Sequence, residues 1–250
     1  GLPVIDVQAA TQLATIRPEY VKHLEVGAKS SPWDGFTLNA TFYNTNIDDY
    51  QTNVQSPQLG VNRGYLANAQ HVRVRGAELD GNLRASRHLL LLGALAYTDG
   101  KYVSFTNAPL PLEETGRTIE GQQVAFKDIS GERLPGISRW AGSIGVEVSA
   151  NTREFLSQVG NFYLAADTYF RSEFSSSPSP SRYLNIDGYG LLNTRAGFRA
   201  TEGFSISVWV RNLLNQNYFE HLLPAGGNAG QYAGVLGDPR TFGLTLRYEL

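Results

Sequence analysis

The stretch FYLAADTYFR, at residues 162–171, decides the fold class of this chain. Its apolar side chains, such as Phe162 and Leu164, fall on alternate positions, and Asp167 falls between two of them. Successive side chains of a β-strand point to opposite faces of the sheet, so this period of two predicts a strand with one apolar and one polar face. No stretch of the sequence shows a convincing helical period that competes with it. We therefore expect an all-β protein.

The same alternation continues in both directions along the chain and predicts nine strands. They lie at about residues 21–30, 36–47, 70–84, 89–98, 138–148, 161–173, 188–200, 204–212 and 240–250. The third strand changes parity between Val74 and Ala77, which predicts a β-bulge near Arg75 and Gly76. The fourth, LLLLGALAY, is apolar on both faces, and the pattern leaves its orientation open.

The connections between these strands alternate strictly in length. Short or moderate connections at 31–35, 85–88, 149–160 and 201–203 alternate with long ones at 48–69, 99–137, 174–187 and 213–239. Outer-membrane barrels have short periplasmic turns and long extracellular loops, so this alternation predicts an antiparallel transmembrane β-barrel whose last strand runs towards the periplasm. Trp33 and Trp140 then lie near the two interfacial girdles of aromatic residues, with ordinary packing as the alternative.

Composition excludes several other classes of protein. The 250 residues contain no cysteine, which excludes disulfide scaffolds and thiolate metal sites. The formal net charge of −2 gives a nucleic-acid partner no electrostatic support. No apolar run reaches the roughly 18 residues of a membrane helix. The chain also lacks methionine and has an odd number of predicted strands, so we expect it to be part of a longer barrel.

Several segments resemble, in order and spacing, parts of the TonB-dependent outer-membrane receptors. They are PEYVKHLEVGAKS (18–30), NATFYNTNIDDYQ (39–51), RGAELDGNL (75–83), GERLPGISRWAGSIGV (131–146), DGYGLLNTRAGFR (187–199), VWVRNLLNQNY (208–218) and GDPRTFGLTLRYEL (237–250). The sequence departs from the family at Ser138, where proline is common, and at Leu250, where the family usually ends in an aromatic residue. The last strand also resembles the signal that the barrel-assembly machinery reads, through Thr241, Gly243, Leu246 and Tyr248.

The resemblance implies a plugged barrel of about 22 strands, a size found in outer-membrane transporters. Residues 1–250 would be the C-terminal portion of its wall, with the plug domain and the N-terminal strands absent. The implied function is active uptake of a scarce nutrient, above all a ferric siderophore, across the bacterial outer membrane. The implied partners are the TonB system (through the missing plug), membrane lipid, the barrel-assembly machinery and a small chelate. No enzymatic activity and no cofactor are implied.

Aromatic and arginine side chains in the long connections are the candidates for ligand contact, because they suit large, partly planar, anionic chelates. They are Tyr102, Phe105, Arg117, Arg182, Tyr183 and Tyr232. The alternative for each is packing of loop against loop. Four further arginines are expected to face the lumen by parity, within a polar lining or as guides for an anion: Arg195, Arg199, Arg211 and Arg247.

No pattern of catalytic or metal-binding residues competes with this interpretation. The four histidines are widely separated and lack metal-ligand spacing. Acidic pairs at 48–49 and 113–114 permit a calcium site, but a solvated loop surface is favoured for both. Two alternatives stay open: a passive porin-like channel, and a soluble β-sandwich or propeller domain that binds carbohydrate.

Overall fold

One continuous antiparallel sheet dominates the computed structural model, which describes residues 15–55, 64–225 and 230–248. Nine strands form it, each paired with the next along the chain. They are β1 (Tyr20–Trp33), β2 (Phe36–Gln55), β3 (Gly64–Ser86), β4 (Leu89–Ser104), β5 (Trp140–Phe155), β6 (Gln158–Arg171), β7 (Tyr189–Ala200), β8 (Phe204–Arg211) and β9 (Thr241–Tyr248). The predicted count and order of strands are confirmed. The sheet is open, because β1 and β9 each pair with a single neighbour among the described residues.

The connections keep the predicted alternation of length, although several are shorter than expected, two of them by at least ten residues. The connection predicted at 149–160 shrinks to Leu156 and Ser157, since β5 and β6 extend towards each other. Both residues have positive φ, at 50° and 59°, which is the backbone of a tight two-residue hairpin. Similarly, β2 and β3 stay paired out to Gln55 and Gly64, well into the loop predicted at 48–69. Residues 56–63 lie outside the described residues.

Two faces of opposite chemistry result from the register. Directly paired residues share a face, and one row joins six strands through Leu89, Val148, Leu164, Ala196, Val208 and Leu244. Leu164 and Leu244 in this row are each 60% exposed. We call this side the apolar face. The opposite side, the polar face, carries Asn39, Asp80, Glu147, Asp167 and Asn193.

The exposure of the apolar face argues against a soluble sandwich. Such a fold would bury this face against a second sheet, but the other sheets among the described residues are two-stranded pairs within the long connections. A large exposed apolar surface marks an interface with another apolar phase or partner. The alternative of a soluble β-sandwich or propeller is therefore wrong for the described part of the chain.

Aromatic pairs lie at both ends of the sheet. Trp33 contacts Phe36 across the first short turn, with ring centroids 4.5 Å apart. Tyr97 contacts Trp140 at the end with the long connections, at 4.9 Å. Both tryptophans are exposed. These positions agree with the predicted aromatic girdles at the two ends of the strands.

The predicted bulge at Arg75 and Gly76 is wrong. Pairing of β2 with β3 continues without a shift through these residues, and shifts occur instead between β3 and β4, next to His71 and Arg84. Gly76 has a different role: a Cβ there would lie 2.3 Å from the Tyr97 carbonyl oxygen and 2.5 Å from the Tyr43 hydroxyl. The glycine therefore makes room for the side chain of Tyr43.

The change of parity that suggested the bulge has its cause in a small core above the polar face. Val72 and Val74 lie on the polar side of β3, where the connection after β4 folds back and covers them. The buried members of this core are Val54, Ala69, Val72, Tyr102, Phe105, Ala108, Ile129 and Leu134. Each large side chain buried in this way contributes about 1.5–3 kcal/mol to stability. Apolar residues on a polar face thus mark the place where a loop packs on the sheet.

Candidate functional site

Three long connections meet at one end of the sheet, and we call them loop A (residues 105–139), loop B (172–188) and loop C (212–240). Loop A contains two short strand pairs, and a 3-10 turn at Leu112–Glu114 lies between their first strands. Loop B is closed by the pair of Phe174–Ser175 with Asn185–Ile186, and loop C by Phe219–Pro224 with Tyr232–Leu236. Each loop therefore has hydrogen-bonded structure of its own.

Loop C begins with a turn built by asparagines. Asn212 and Asn215 have φ of 48° and 52°, a region in which asparagine is tolerated better than most residues. The Asn212 amide donates to the carbonyl oxygens of Gln216 and Asp238, at 2.9 and 3.0 Å. This side chain is almost completely buried. The asparagines of the VRNLLNQNY segment thus determine how loop C leaves β8.

Serine side chains of loop B bind the backbone of both neighbouring loops. The buried Ser179 donates to the carbonyl oxygen of Pro109 in loop A, at 2.6 Å. Ser176 donates to the carbonyl oxygen of Leu222 in loop C at 2.7 Å, and accepts from the Leu222 amide at 3.2 Å. A buried backbone group needs a partner, and in this way the serine-rich loop B supplies partners to loops A and C.

The carboxylate of Glu113, in the turn of loop A, contacts both other loops. One oxygen accepts from the backbone N–H of Arg182 at 2.9 Å. The other accepts from the hydroxyl of Tyr232 at 2.7 Å. These partners are 69 and 119 residues away in sequence, so the carboxylate joins segments that only the tertiary fold brings together.

The environment of Glu113 favours its ionised form. Partial burial alone would raise the pKa of this carboxyl, but hydrogen bonds from the Tyr232 hydroxyl and neighbouring donors outweigh burial and lower it. Burial, and then the hydrogen bond to Glu113, raise the pKa of the Tyr232 phenol well above its usual range. A charged acceptor and a neutral donor therefore face each other at neutral pH.

Aromatic and guanidinium groups cluster beside this carboxylate. The rings of Tyr183 and Tyr232 are tilted, with centroids 5.1 Å apart. The Arg182 guanidinium lies 5.3 Å from the centre of the Tyr183 ring, within the range of cation–π attraction. Tyr183 is 51% exposed. We call Arg182, Tyr183 and Tyr232 the aromatic cluster.

The structure brings together three of the six residues that the sequence suggested for ligand contact. Tyr102 and Phe105 instead pack against each other inside the core, each 0% exposed, and offer no surface to a ligand. Arg117 is exposed in loop A and pairs with Glu114 at 3.3 Å. The remaining three form the aromatic cluster. Alternation could not separate them, because burial of Tyr102 and Phe105 depends on the fold of loop A.

A cleft of about 470 Å³ lies between loops A and B, with several charged side chains in its lining. Lys127 pairs with Glu114 at 2.7 Å, and Arg133 pairs with Glu173 at 3.4 Å. The sequence did not single out Lys127 or Arg133 for ligand contact, although Arg133 lies in the segment GERLPGISRWAGSIGV that resembles the receptor family. Cations and anions are balanced in the lining, so the cleft has mixed rather than basic character: Glu114, Lys127, Glu132, Arg133, Glu173 and Arg182.

All four arginines predicted to face the lumen lie on the polar face, because their cross-strand partners belong to it. Arg199 forms a two-pronged ion pair with Glu147, at 2.7 and 2.8 Å, and stacks 3.7 Å from the centre of the Tyr163 ring. Weaker stacking is seen for Arg195 on Tyr163 and for Arg211 on Trp209. The fourth, Arg247, is paired in register with Ser205.

The residues of the predicted assembly signal divide between the two faces of β9. Thr241 and Gly243 lie on the polar face, whereas Leu246 and Tyr248 are exposed on the apolar face. A Cβ on Gly243 would lie 2.4 Å from the ring of Trp209, so this glycine also serves packing within the sheet. Leu250 lies outside the described residues.

Residues 15–55, 64–225 and 230–248 contain no group of three or more histidine, cysteine, aspartate or glutamate side chains able to hold a metal ion. In the same ranges, no helix is long and apolar enough to span a membrane.

Known structures share this fold over almost the whole chain. The ferric yersiniabactin uptake receptor FyuA from Yersinia pestis is 19% identical, with a TM-score of 0.67, over 92% of this chain and 30% of that one. The copper transporter OprC is 18% identical, with a TM-score of 0.65, over 94% of this chain and 32% of that one. The ferric-catecholate import receptor Fiu from E. coli K12 is 17% identical, with a TM-score of 0.60, over 93% of this chain and 28% of that one. The chain thus spans about three-tenths of each of these structures.

The family follows from the sequence. A search of curated proteins found no match. The family model described as TonB dependent receptor-like, beta-barrel matches residues 5–213, most of the chain. The strand order, the two faces and the long loops agree with that match. The chain belongs to the family of TonB-dependent receptor β-barrels.

Proposed function

We propose that this chain supplies part of the barrel wall and the ligand-capturing loops of a receptor that imports a ferric siderophore across the bacterial outer membrane. One observation carries the proposal. A nine-stranded sheet of this receptor family exposes its apolar face, and its long loops meet at one end in an aromatic and charged surface. The apolar face would contact lipid, and the polar face would line the lumen.

In the proposed mechanism, capture precedes energised transport. Loops A, B and C would bind the chelate outside the cell, and a plug domain would then be rearranged through TonB, as the family implies. No covalent bond is made or broken. The structures with a similar fold include receptors named for ferric chelates and one named for copper. Stacking and cationic groups in the loops favour a planar, anionic chelate over a bare metal ion.

The arginines of the polar face are proposed as part of a satisfied lumen lining. Arg199 already uses its guanidinium on Glu147 and Tyr163, which favours the lining over a free anion guide. Thr241, Gly243, Leu246 and Tyr248 are proposed to present the last strand to the barrel-assembly machinery. The spacing of polar and apolar residues in β9 supports this role.

Uptake of radioiron by cells tests the proposal. Cells that express the complete receptor as their sole outer-membrane iron transporter are given radioiron as the ferric complex of a catecholate siderophore, of a hydroxamate siderophore or of citrate. We expect accumulation of at least one chelate that stops when TonB is removed. Accumulation that persists without TonB would instead support the passive porin-like channel. No accumulation of any ferric chelate would contradict the proposed substrate class.

A further inference from the structure

We propose, on the basis of the proposed function, that Glu113 is a positioning residue for ligand capture: its carboxylate holds loops A, B and C in one arrangement and presents the aromatic cluster as a single surface. Nothing in the sequence distinguishes Glu113 from Glu114, the next residue of the same turn. The distinction lies in their partners.

The contacts of Glu113 cross between loops, whereas those of Glu114 stay within one loop. Glu113 binds the Arg182 backbone in loop B and the Tyr232 hydroxyl in loop C. Glu114 pairs with Arg117 and Lys127, both in loop A. A hydrogen bond to a charged group is stronger than one between neutral groups, so Glu113 is placed to determine how the loops lie against each other.

The bonds of Glu113 also determine the geometry of the aromatic cluster. Its contact to the Arg182 amide places the peptide group that joins Ser181 and Arg182, directly before Tyr183, and its contact to the Tyr232 hydroxyl orients the second ring. The two rings are then close enough to offer one continuous face. The Arg182 guanidinium stacks on that face and forms no ion pair with any residue that the structure describes. Such a surface suits a planar anionic group.

The arrangement should depend on pH, because protonation of Glu113 removes the charged acceptor. The lowered pKa of this carboxyl supports the same conclusion. The titratable and charged groups that face Glu113 or adjoin it are Glu114, Arg182, Tyr183 and Tyr232. Among these four groups Glu114 is the carboxyl, so Glu114→Gln separates its titration from that of Glu113.

The distance between loops A and C tests the inference without any ligand. Residues 1–250 contain no cysteine. Once any cysteine elsewhere in the complete receptor has been replaced by serine, spin labels can be attached at Thr118→Cys and Gln231→Cys, two exposed sites. Pulsed electron paramagnetic resonance should give a narrow distance distribution at pH 7. We expect Glu113→Ala and Glu113→Gln to broaden it, because both remove the charged acceptor, and Glu114→Gln to leave it unchanged.

The pH profile separates positioning by a charged group from a general loss of structure. At pH 3 we expect the distribution of the parent protein to broaden towards that of Glu113→Gln, whose own distribution is the same at both pH values because it has no carboxyl to protonate at this position. Ser179→Ala removes a neutral bond between loops A and B, and its effect should be the same at both pH values. An unchanged distribution in Glu113→Ala would overturn the inference.

Binding provides the functional readout. The probe is the ferric complex of 2,3-dihydroxybenzoate, which is planar, aromatic and anionic. We expect Glu113→Ala to weaken its binding by about tenfold, the low end of the effect of losing a charge-assisted hydrogen bond. A broadened distance distribution in Glu113→Ala with unchanged binding of the ferric complex would also overturn the positioning role. If the parent protein binds no ferric chelate, the proposed function fails, and the distance measurement alone decides whether Glu113 holds the loops.

Discussion

At the scale of single residues, the residue type that a position requires is explained by its neighbours on other strands or in other loops. Gly76 and Gly93 both lie within strands of the wall, but their surroundings differ. A Cβ on Gly76 would collide with Tyr97 and Tyr43, whereas a Cβ on Gly93 would meet nothing within 4 Å. The same residue type is required in one place and replaceable in the other.

Alanine substitution should separate these two glycines. We expect Gly76→Ala to destabilise the folded receptor by about 1–3 kcal/mol, the usual cost of overpacking. Gly93→Ala, the matched control, should change stability by less than about 0.5 kcal/mol. The temperature at which the folded band is lost in a heat-modifiability gel measures both. Equal effects of the two substitutions would contradict the close approach of Tyr43.

The Tyr232 hydroxyl provides a second prediction, which concerns pH. The directions in which the pKa values of Tyr232 and Glu113 are shifted determine the pH range in which their hydrogen bond stabilises the folded protein. The pKa of this phenol is raised in the folded protein. Its contribution to the free energy of unfolding is therefore fully present below the ordinary pKa of 10.0, and it is lost as pH rises through the pKa of the folded protein. The pKa of Glu113 is lowered, so its contribution is present above its ordinary pKa of 4.5 and is lost as pH falls. The contact between loops A and C is therefore expected to contribute fully to stability between about these two values, and to be lost only beyond them.

Tyr232→Phe should remove the hydrogen bond to Glu113 at every pH, while the ring contact with Tyr183 remains. The spin-label pair at Thr118→Cys and Gln231→Cys reports the loss: at pH 8 the variant should give a broader distance distribution than the parent protein. Tyr183→Phe is the control, because its hydroxyl makes no contact with Glu113. A distribution of Tyr232→Phe at pH 8 as narrow as that of the parent protein would contradict the assignment.

At the scale of elements, the short turns are as specific as the loops. Leu156 and Ser157 both adopt positive φ, although neither leucine nor serine favours this region. The predicted twelve-residue connection was too long because β5 and β6 remain paired almost to the turn. Pairing across the strands is strong enough to impose a conformation that these two residues resist.

The Asn-Gly pair suits this turn geometry, so Leu156→Asn combined with Ser157→Gly should stabilise the hairpin. We expect a gain of about 0.5–1 kcal/mol in the free energy of unfolding, of the size seen when a backbone conformation is relieved of strain. Ser157→Val is the opposing variant, since a β-branched residue at positive φ should destabilise. Denaturant titration of the complete receptor in detergent measures both, and a stabilising Ser157→Val would contradict the turn geometry.

At the scale of the whole molecule, the two faces of the sheet divide the proposed environment into lipid and lumen. Leu164 lies in the centre of the apolar row, and Ser207 lies on the polar face of β8. Arginine on the lipid face of a barrel costs about 2–4 kcal/mol near the middle of the bilayer, whereas lumen positions are tolerant. We expect Leu164→Arg to reduce the assembled fraction and Ser207→Arg to leave it near the parent level.

Quantitative blotting of heat-modifiable receptor in outer-membrane fractions measures this difference. Leu164→Ala is included to show that loss of the leucine alone is not responsible. Equal assembly of Leu164→Arg and Ser207→Arg would contradict the assignment of the apolar face to lipid. Loss of assembly only in Ser207→Arg would reverse the two faces.

Much of the architecture was predictable from the sequence because it depends on local periodicity. Apolar residues such as Leu164 and polar residues such as Asp167 occupy opposite faces of their strand. Strand geometry alone determines which face each side chain occupies. Nine strands and their order were therefore confirmed, and the direction of the strands across the membrane stays a prediction from the loop lengths. The bulge was wrongly predicted because Val72 and Val74 are apolar for a reason that lies outside their strand.

The candidate site was predictable only in part. Aromatic and arginine residues in long loops suggested Arg182, Tyr183 and Tyr232, but the same criterion also selected Tyr102 and Phe105, which are buried. Glu113 and Glu114 appeared as an equivalent pair of acids. Composition shows which chemistry a loop can offer, but it does not show which side chains the folded loops leave exposed.

The sequence by itself determined that this protein is a β-sheet of alternating strands with loops sorted by length, because the period of two and the turn residues act between near neighbours. Only the tertiary structure decided that Glu113 binds loops B and C, that Gly76 makes room for Tyr43 and that Arg199 meets Glu147 across β6. These contacts join residues tens of positions apart. Their existence depends on strand register and on how loops fold back, and neither is encoded in a local pattern.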